Sequence, residues 1–114
     1  MSPYQPLGCF EDYEFRAIGS VEGKDEVKHI LDGNFRIRKN AIFKCYEATK
    51  YLGWSKVFAL DADGRCSTSG DAEETYNMYD KSRRCKGQGK GGHKAINVYQ
   101  ITSSASGNYC QNGF

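Results

Sequence analysis

The sequence lacks three features that define large classes of protein. No apolar run approaches the roughly 20 residues that a membrane-spanning helix needs, so we expect no membrane insertion. No C-x-x-C pair occurs among the five cysteines, which disfavours a zinc ribbon or a thioredoxin-like redox motif. No strong excess of positive charge exists either, because sixteen Lys and Arg face fourteen Asp and Glu. This balance argues against a nucleic-acid partner.

The N-terminus also lacks the apolar core of a signal peptide. We therefore expect either a protein that is not secreted or a mature chain that carries an added Met. The cysteines favour the second alternative, because single, widely spaced cysteines in a short chain are typical of oxidised, secreted scaffolds. The 114 residues are expected to form one domain over 1–114 with a modest core.

The clearest predicted element is a helix in NAIFKCYEATKYLG. Apolar residues recur at helical spacing over 41–52, between Asn40 as N-cap and Gly53 as C-terminal stop. A hairpin is predicted over 56–68, with DADG as its turn. Weaker patterns predict a short helix within 69–80, with Ser69 as N-cap, and strands over 6–10, 15–19 and 96–101.

The predicted helix and hairpin bring two cysteines together. Cys45 lies on the apolar face of the helix, and Cys66 lies on the return strand of the hairpin. Because the apolar face must lie on the sheet, Cys45 and Cys66 are expected to meet. A bridge between them would add roughly 3 kcal/mol of stability by the chain-entropy model.

A glycine-rich stretch, CKGQGKGGH at 85–93, contains the G-x-G-x-x-G spacing of dinucleotide-binding loops. That motif functions only between a strand and a crossover helix, and the 22 residues after Gly92 leave no room for the helix and a second strand. The nucleotide interpretation is therefore rejected. The glycines are expected either to form a flexible loop or to let a ligand approach the bare backbone closely.

Few residues suit catalysis or metal binding. His29 and His93 are the only histidines, and no nucleophile motif accompanies them. We expect a protein that is not an enzyme, with a small secreted hydrolase as the least favoured class. Asp61 and Asp63 in LDADG resemble the start of a calcium loop, but the twelfth position is Ala72, so a turn is the better interpretation. No cofactor or metal is expected.

The order of short motifs over residues 7–101 is more specific than any single motif. LGCFEDYEFRAI, KCYEATKYLGWSKVFAL, GRCSTSGDAEETYNMYDKSRRC and GKGGHKAINVYQI follow one another along the chain. This order resembles a cysteine-rich extracellular module of marine invertebrates that is similar to WSC and PAN/apple modules. It also resembles, in expected function, the small galactose-binding lectins of feather stars. The resemblance implies an α+β fold, with a main helix and a shorter helix packed on a curved antiparallel sheet, that binds carbohydrate or protein.

Cys110 lies outside this resemblance, in the tail 102–114. It is then the odd cysteine, either free or paired with another chain, and we expect a covalent homodimer. The resemblance leaves four cysteines for two internal bridges. Beside the bridge of Cys45 to Cys66, Cys9 is therefore expected to pair with Cys85.

The predicted binding site is the polar, glycine-rich stretch 79–97. The module usually carries an apolar or aromatic pair after G-K-G-G, whereas His93 and Lys94 stand there in this chain. Sugars bind on aromatic faces, with polar side chains hydrogen-bonded to their hydroxyls. The candidate carbohydrate-binding residues are Tyr79, Arg84, Lys90, His93 and Asn97. A solvated basic loop is an equally weighted alternative, and the other aromatics, including Trp54, are expected mostly in the core.

These observations lead to one prediction of function and one main alternative. We expect a secreted, disulfide-stabilised lectin, selective for β-galactosides, whose partners are glycans or glycoproteins on cell surfaces. The alternative is a protein-interaction or matrix module without affinity for sugars.

Overall fold

The computed structural model describes residues 2–102, which form an α+β fold. Its strands are β1 (Tyr4–Glu11), β2 (Val57–Asp61), β3 (Arg65–Ser67) and β4 (Ala95–Ile101), and its α-helices are α1 (Ala41–Leu52) and α2 (Ala72–Thr75). The strands form one antiparallel sheet in the order β1-β4-β2-β3. The predicted fold class is therefore confirmed. Two short 3-10 turns, Asp25–Val27 and Phe35–Ile37, lie in the long polar segment before α1.

Both faces of the sheet are covered, and each face has its own hydrophobic cluster. Successive side chains of a strand point to opposite faces. Phe58 and Leu60 of β2 accordingly pack with α1, whereas Val57 and Ala59 pack with Ala72 of α2. This double cover explains why every residue of β2 is buried.

Helix α1 has the predicted boundaries, but only one of its predicted caps. Gly53 adopts a left-handed backbone with φ of 69°, and its N–H donates to the Thr49 carbonyl. Asn40 is also left-handed, with φ of 55°, and its side chain makes no capping hydrogen bond. A capping side chain needs an extended backbone at that position, so Asn40 occupies the predicted N-cap position without making the side-chain cap.

The hairpin of β2 and β3 is confirmed, and its turn explains the DADG sequence. Ala62 and Asp63 both have positive φ, at 47° and 71°, which is the conformation of a type I′ hairpin turn. The Gly64 N–H donates to the Asp61 carbonyl over 2.9 Å. A Cβ on Gly64 would lie 2.5 Å from the Phe35 carbonyl oxygen, so only glycine fits.

Three weaker predictions need correction. Residues 15–19 form no strand, and Ala17 and Ile18 are instead buried in an irregular segment beside β3. Helix α2 is a single turn, and the Ser69 hydroxyl bonds the Asp71 carboxylate rather than capping that turn. Strand β1 is longer than predicted, because it pairs with β4 along its whole length.

Two disulfides join the elements as expected. The Cys45–Cys66 bridge fastens α1 to β3, and the Cys9–Cys85 bridge fastens β1 to the loop before β4. Cys110 and the expected intermolecular bridge lie outside the described residues. Within 2–102, no helix has the length and apolar character needed to cross a membrane.

Candidate functional site

The predicted sugar-binding residues do not converge on one cavity. Arg84, Lys90 and His93 line three different depressions on the surface. Tyr79 and Asn97, by contrast, form side-chain hydrogen bonds to the backbone of the protein itself. The stretch 79–97 therefore presents several separate small surfaces rather than one binding face.

Tyr79 and Asn97 hold the polypeptide in place. The Tyr79 hydroxyl donates to the Phe15 carbonyl, and its ring packs edge to face on Tyr13 with 4.7 Å between centroids. The Asn97 Oδ1 accepts a hydrogen bond of 2.8 Å from the Gly91 N–H. These contacts fix the segment after β1 and the loop before β4.

The glycines before β4 approach the protein itself. A Cβ on Gly91 would lie 2.3 Å from the Leu60 carbonyl oxygen, and one on Gly92 would lie 2.0 Å from the Arg84 carbonyl oxygen. Both glycines are buried, so the expectation that they expose bare backbone to a ligand is wrong at these two positions. Gly87, with open space around it, still fits that expectation.

His93 lines a cleft of about 320 Å³, which we call the Asp61 cleft. It lies where β2 ends, between the segment after β1 and the loop before β4. Its charged lining includes Asp12, Arg16, Arg36, Asp61, Arg65 and His93. The other histidine, His29, packs edge to face on Tyr51 of α1.

Both carboxylate oxygens of Asp61 accept hydrogen bonds from arginine side chains. Its Oδ1 accepts from Arg65 Nε at 3.0 Å, and its Oδ2 accepts from Arg65 Nη2 at 2.8 Å and from Arg16 Nη1 at 3.3 Å. The hydrogen bonds to Asp61 also raise the pKa of Arg65 above its already high ordinary value. With 5% of its surface exposed, Asp61 serves the fold and is not open to a calcium ion or a sugar.

Asp12 is the second buried carboxylate of this cleft, with 4% of its surface exposed. Its Oδ1 accepts from the Ala17 N–H at 2.9 Å, and Arg16 Nη2 lies 3.7 Å from its Oδ2. Burial raises the pKa of Asp12 above its ordinary value, because desolvation outweighs the hydrogen bond from Ala17 and the charge of Arg16. Over residues 2–102, no group of three or more acidic, His or Cys side chains is placed to hold a metal ion.

A different surface lies at the opposite end of β2, and we call it the Trp54 groove. It has a volume of about 500 Å³ and is lined by Trp54, Lys50, Ser55, Lys56, Glu73 and Ile101, with Thr49 and Gly53 at its base. Trp54 is 43% exposed, so its expected place in the core is wrong. The left-handed Gly53 ends α1, and the chain turns outward before it enters β2.

The Trp54 groove combines an aromatic surface with charged groups that form no ion pair in the described part of the chain. The Lys24 Nζ lies 5.9 Å from the centroid of Trp54, and the Lys50 Nζ lies 5.0 Å from that of Tyr46. The Glu73 Oε1 accepts a long hydrogen bond of 3.4 Å from the Lys56 backbone N–H. Among the residues that the structure describes, Lys50, Lys56 and Glu73 form no side-chain ion pair. Sequence reasoning missed this surface. The signal that could have indicated it is the single tryptophan of the chain, which lies between a glycine and a Ser-Lys pair.

Comparisons with known proteins identify no family for this chain. No family model and no solved structure match it. Protein Rae1 of Drosophila melanogaster is 28% identical over 88 residues, which cover 72% of this chain and 22% of that protein. The mRNA export factor GLE2 of Chaetomium thermophilum is 30% identical over 84 residues, which cover 68% of this chain and 23% of that protein. The chain thus spans less than a quarter of the length of these curated relatives.

Proposed function

We propose that the protein is an extracellular, non-catalytic lectin that binds β-galactosides in the Trp54 groove. The observation that supports the proposal is a half-exposed tryptophan beside an unpaired carboxylate and two unpaired ammonium groups. Shallow, open sites of this composition suit a sugar, which offers one apolar face and a rim of hydroxyls. The resemblance to galactose-binding lectins points the same way.

The chemistry of galactose fits this arrangement. Because its 4-hydroxyl is axial, galactose gathers several C–H groups on one face, and that face stacks on an aromatic ring. The Glu73 carboxylate would accept hydrogen bonds from the hydroxyls at the ring edge, and Lys50 or Lys56 would donate to others. Hydrogen bonds to charged groups contribute about 1.5–3 kcal/mol each. Because the groove is open and few such bonds can form at once, we expect affinity for one sugar in the ~mM range.

The two disulfides support an extracellular location. Disulfides persist in oxidising compartments and are rare in cytosolic and nuclear proteins. This observation also weighs against transferring the mRNA export function that the name of GLE2 states, because mRNA export takes place between the nucleus and the cytosol. The near-balanced charge of the chain gives no independent support for binding RNA.

One observation favours the alternative of a protein-interaction module. Phe15 is 75% exposed and Ile37 is 79% exposed, and the neighbours Arg16 and Arg36 both line the Asp61 cleft. Apolar surface exposed beside a charged cleft is one feature of protein-binding surfaces when it is contiguous. A partner protein would therefore dock on the side of the Asp61 cleft, away from the Trp54 groove.

A glycan array separates the two functions. The lectin proposal predicts retention on terminal β-galactosides and none on matched glucosides, and Trp54→Ala should abolish that retention. Tyr51→Ala is the matched control, because Tyr51 is also an exposed aromatic of the same region but does not line the groove. No retention on any glycan by the wild type would leave the protein-interaction module as the better proposal.

The same glycan array also tests the predicted sugar-binding site in the stretch 79–97. If the sugar lies against that loop instead, Arg84→Ala, His93→Ala and Asn97→Ala should weaken retention while Trp54→Ala does not. The Trp54 groove predicts the reverse pattern.

A further inference from the structure

We propose that the Asp61 cleft is a second binding site, for the sulfate or carboxylate group of an acidic polysaccharide. This site goes beyond the neutral-sugar groove and uses a separate set of residues. Four permanent cations and three carboxylates line the cleft, with His93 beside them. Whether the cleft can bind an anion depends on which of these charges already form ion pairs with one another.

The inner charges of the cleft neutralise one another. Asp61 is held by Arg16 and Arg65, and Asp12 lies beside Arg16. The outer charges are different, since Arg36, Lys94 and Glu14 form no ion pair with any residue in the described range 2–102. Two cations, Arg36 and Lys94, against the one carboxylate of Glu14 leave the mouth of the cleft with one net positive charge, while the inner charges cancel.

The ring of Phe35 orients two cations of the cleft, Arg36 at the mouth and Arg65 among the paired inner charges. The guanidinium carbon of Arg36 lies 4.8 Å from the centroid of Phe35, and that of Arg65 lies 5.7 Å from it. Stacked on one ring, the two planar guanidiniums have fewer orientations to lose when they bind an anion. Arg65 uses Nε and Nη2 on Asp61, which leaves its Nη1 without a protein acceptor among residues 2–102.

Guanidinium groups recognise planar or tetrahedral oxyanions through paired, charge-assisted hydrogen bonds. A sulfate ester and a uronic carboxylate share this chemistry, and both are small enough for the cleft. A nucleic-acid backbone is less suited, because the two disulfides are typical of extracellular proteins and rare in the cytosol and nucleus, where RNA is bound.

The test uses three probes against the intact protein. They are a heparin-derived octasaccharide with sulfates and carboxylates, a hyaluronan octasaccharide with carboxylates only, and single-stranded RNA of equal charge. The wild type should bind heparin, and added salt should weaken that binding. Binding of hyaluronan as well would assign the cleft to carboxylates, whereas binding of heparin alone would assign it to sulfate esters.

The decisive variant is Arg36→Gln with Lys94→Gln, which removes two exposed charges and no protein ion pair. It should bind heparin roughly 10-fold more weakly or worse. The control is Arg83→Gln with Lys39→Gln, which removes the same charge outside the cleft and should bind as the wild type does. Equal loss in both double variants, no heparin binding at all, or tighter binding to RNA would overturn the proposal. Trp54→Ala should leave heparin binding unchanged, so failure here and failure of the galactoside proposal are separable.

Discussion

The two ends of strand β2 differ in what surrounds them. At the Val57 end, Trp54 stands half-exposed over a groove whose polar neighbours are unpaired. At the Asp61 end, the strand's last carboxylate is buried under two arginines, and Gly91 lies directly against the backbone. Five residues, or about 17 Å of extended chain, separate the two ends.

This difference separates side chains that serve folding from side chains that are free to bind. The Asp61 carboxylate already accepts hydrogen bonds from two arginines of the protein. At the Asp61 end of β2, only the outer cations Arg36 and Lys94 are therefore open to a ligand. At the Trp54 end the tryptophan is 43% exposed and the charges around it form no ion pair within residues 2–102, although the Lys24 Nζ lies 5.9 Å from the ring centroid and a sugar would have to displace it. Substitutions at the two ends should therefore have opposite effects on stability and on sugar binding.

The largest effect on stability is expected for Gly91→Ala. The added Cβ would collide with the backbone of Leu60 and Asp61, and Gly91 has φ of 78°, which disfavours any side chain. Together these costs should destabilise the fold by about 3 kcal/mol in urea unfolding. Gly87→Ala is the control, because nothing lies within 4 Å of its Cβ position. Equal midpoints for the two variants would show that the loop does not pack on β2.

Asp61→Asn should follow, with a loss of about 2 kcal/mol, because it weakens charged hydrogen bonds to two part-exposed arginines. The neutral amide cannot satisfy two guanidiniums, and Arg16 and Arg65 are then left near one another without their shared partner. Asp63→Asn in the adjacent turn is the control, since Asp63 is left-handed and asparagine accepts that backbone well. Urea unfolding of both variants at neutral pH checks the prediction. A stable Asp61→Asn protein would mean that this end of β2 does not depend on the ion pairs.

A smaller effect is expected from the titration of Asp12. Burial raises its pKa, so the folded protein keeps this proton at pH values where the unfolded chain has released it. Stability should therefore fall as the pH rises from the ordinary carboxyl value through the raised one. Asp12→Asn keeps the acceptor for Ala17 but cannot titrate, so it should lose this part of the slope. Urea midpoints of both proteins across the acidic range measure the difference, and parallel curves would contradict it.

The smallest effect on stability should come from Trp54→Ala. A half-exposed side chain outside both hydrophobic clusters should cost at most about 1 kcal/mol. A loss as large as that of Asp61→Asn would show that Trp54 supports the fold and erase the contrast between the two ends. Thermal unfolding of the variant beside the wild type decides this point.

Local patterns in the sequence predicted the parts of the fold that depend on neighbouring residues. The boundaries of α1, the DADG turn and the Cys45–Cys66 bridge follow from spacing within about thirty residues of chain. The Cys9–Cys85 bridge, by contrast, was expected from the resemblance to a known module and from the place of Cys85 before the last predicted strand, and the structure contains it.

The candidate site was less predictable because it depends on contacts between distant segments. The glycines at 91 and 92 looked like a ligand loop, yet their closeness to β2 and Arg84 is visible only in three dimensions. Exposure of Trp54 depends on where Gly53 turns the chain relative to Glu73, which no local pattern encodes. Arg16 and Arg65 converge on Asp61 for the same reason.

The most direct test of the central claim uses the fluorescence of Trp54, the single tryptophan of the chain. Lactose should change its emission in a saturable way, with half-saturation in the ~mM range, because the galactose face stacks on this ring. Maltose, which has no axial 4-hydroxyl, should leave the emission unchanged, and Tyr51→Ala should respond to lactose as the wild type does. An emission that ignores lactose while the protein still binds lactose by calorimetry would place the sugar elsewhere and contradict the claim.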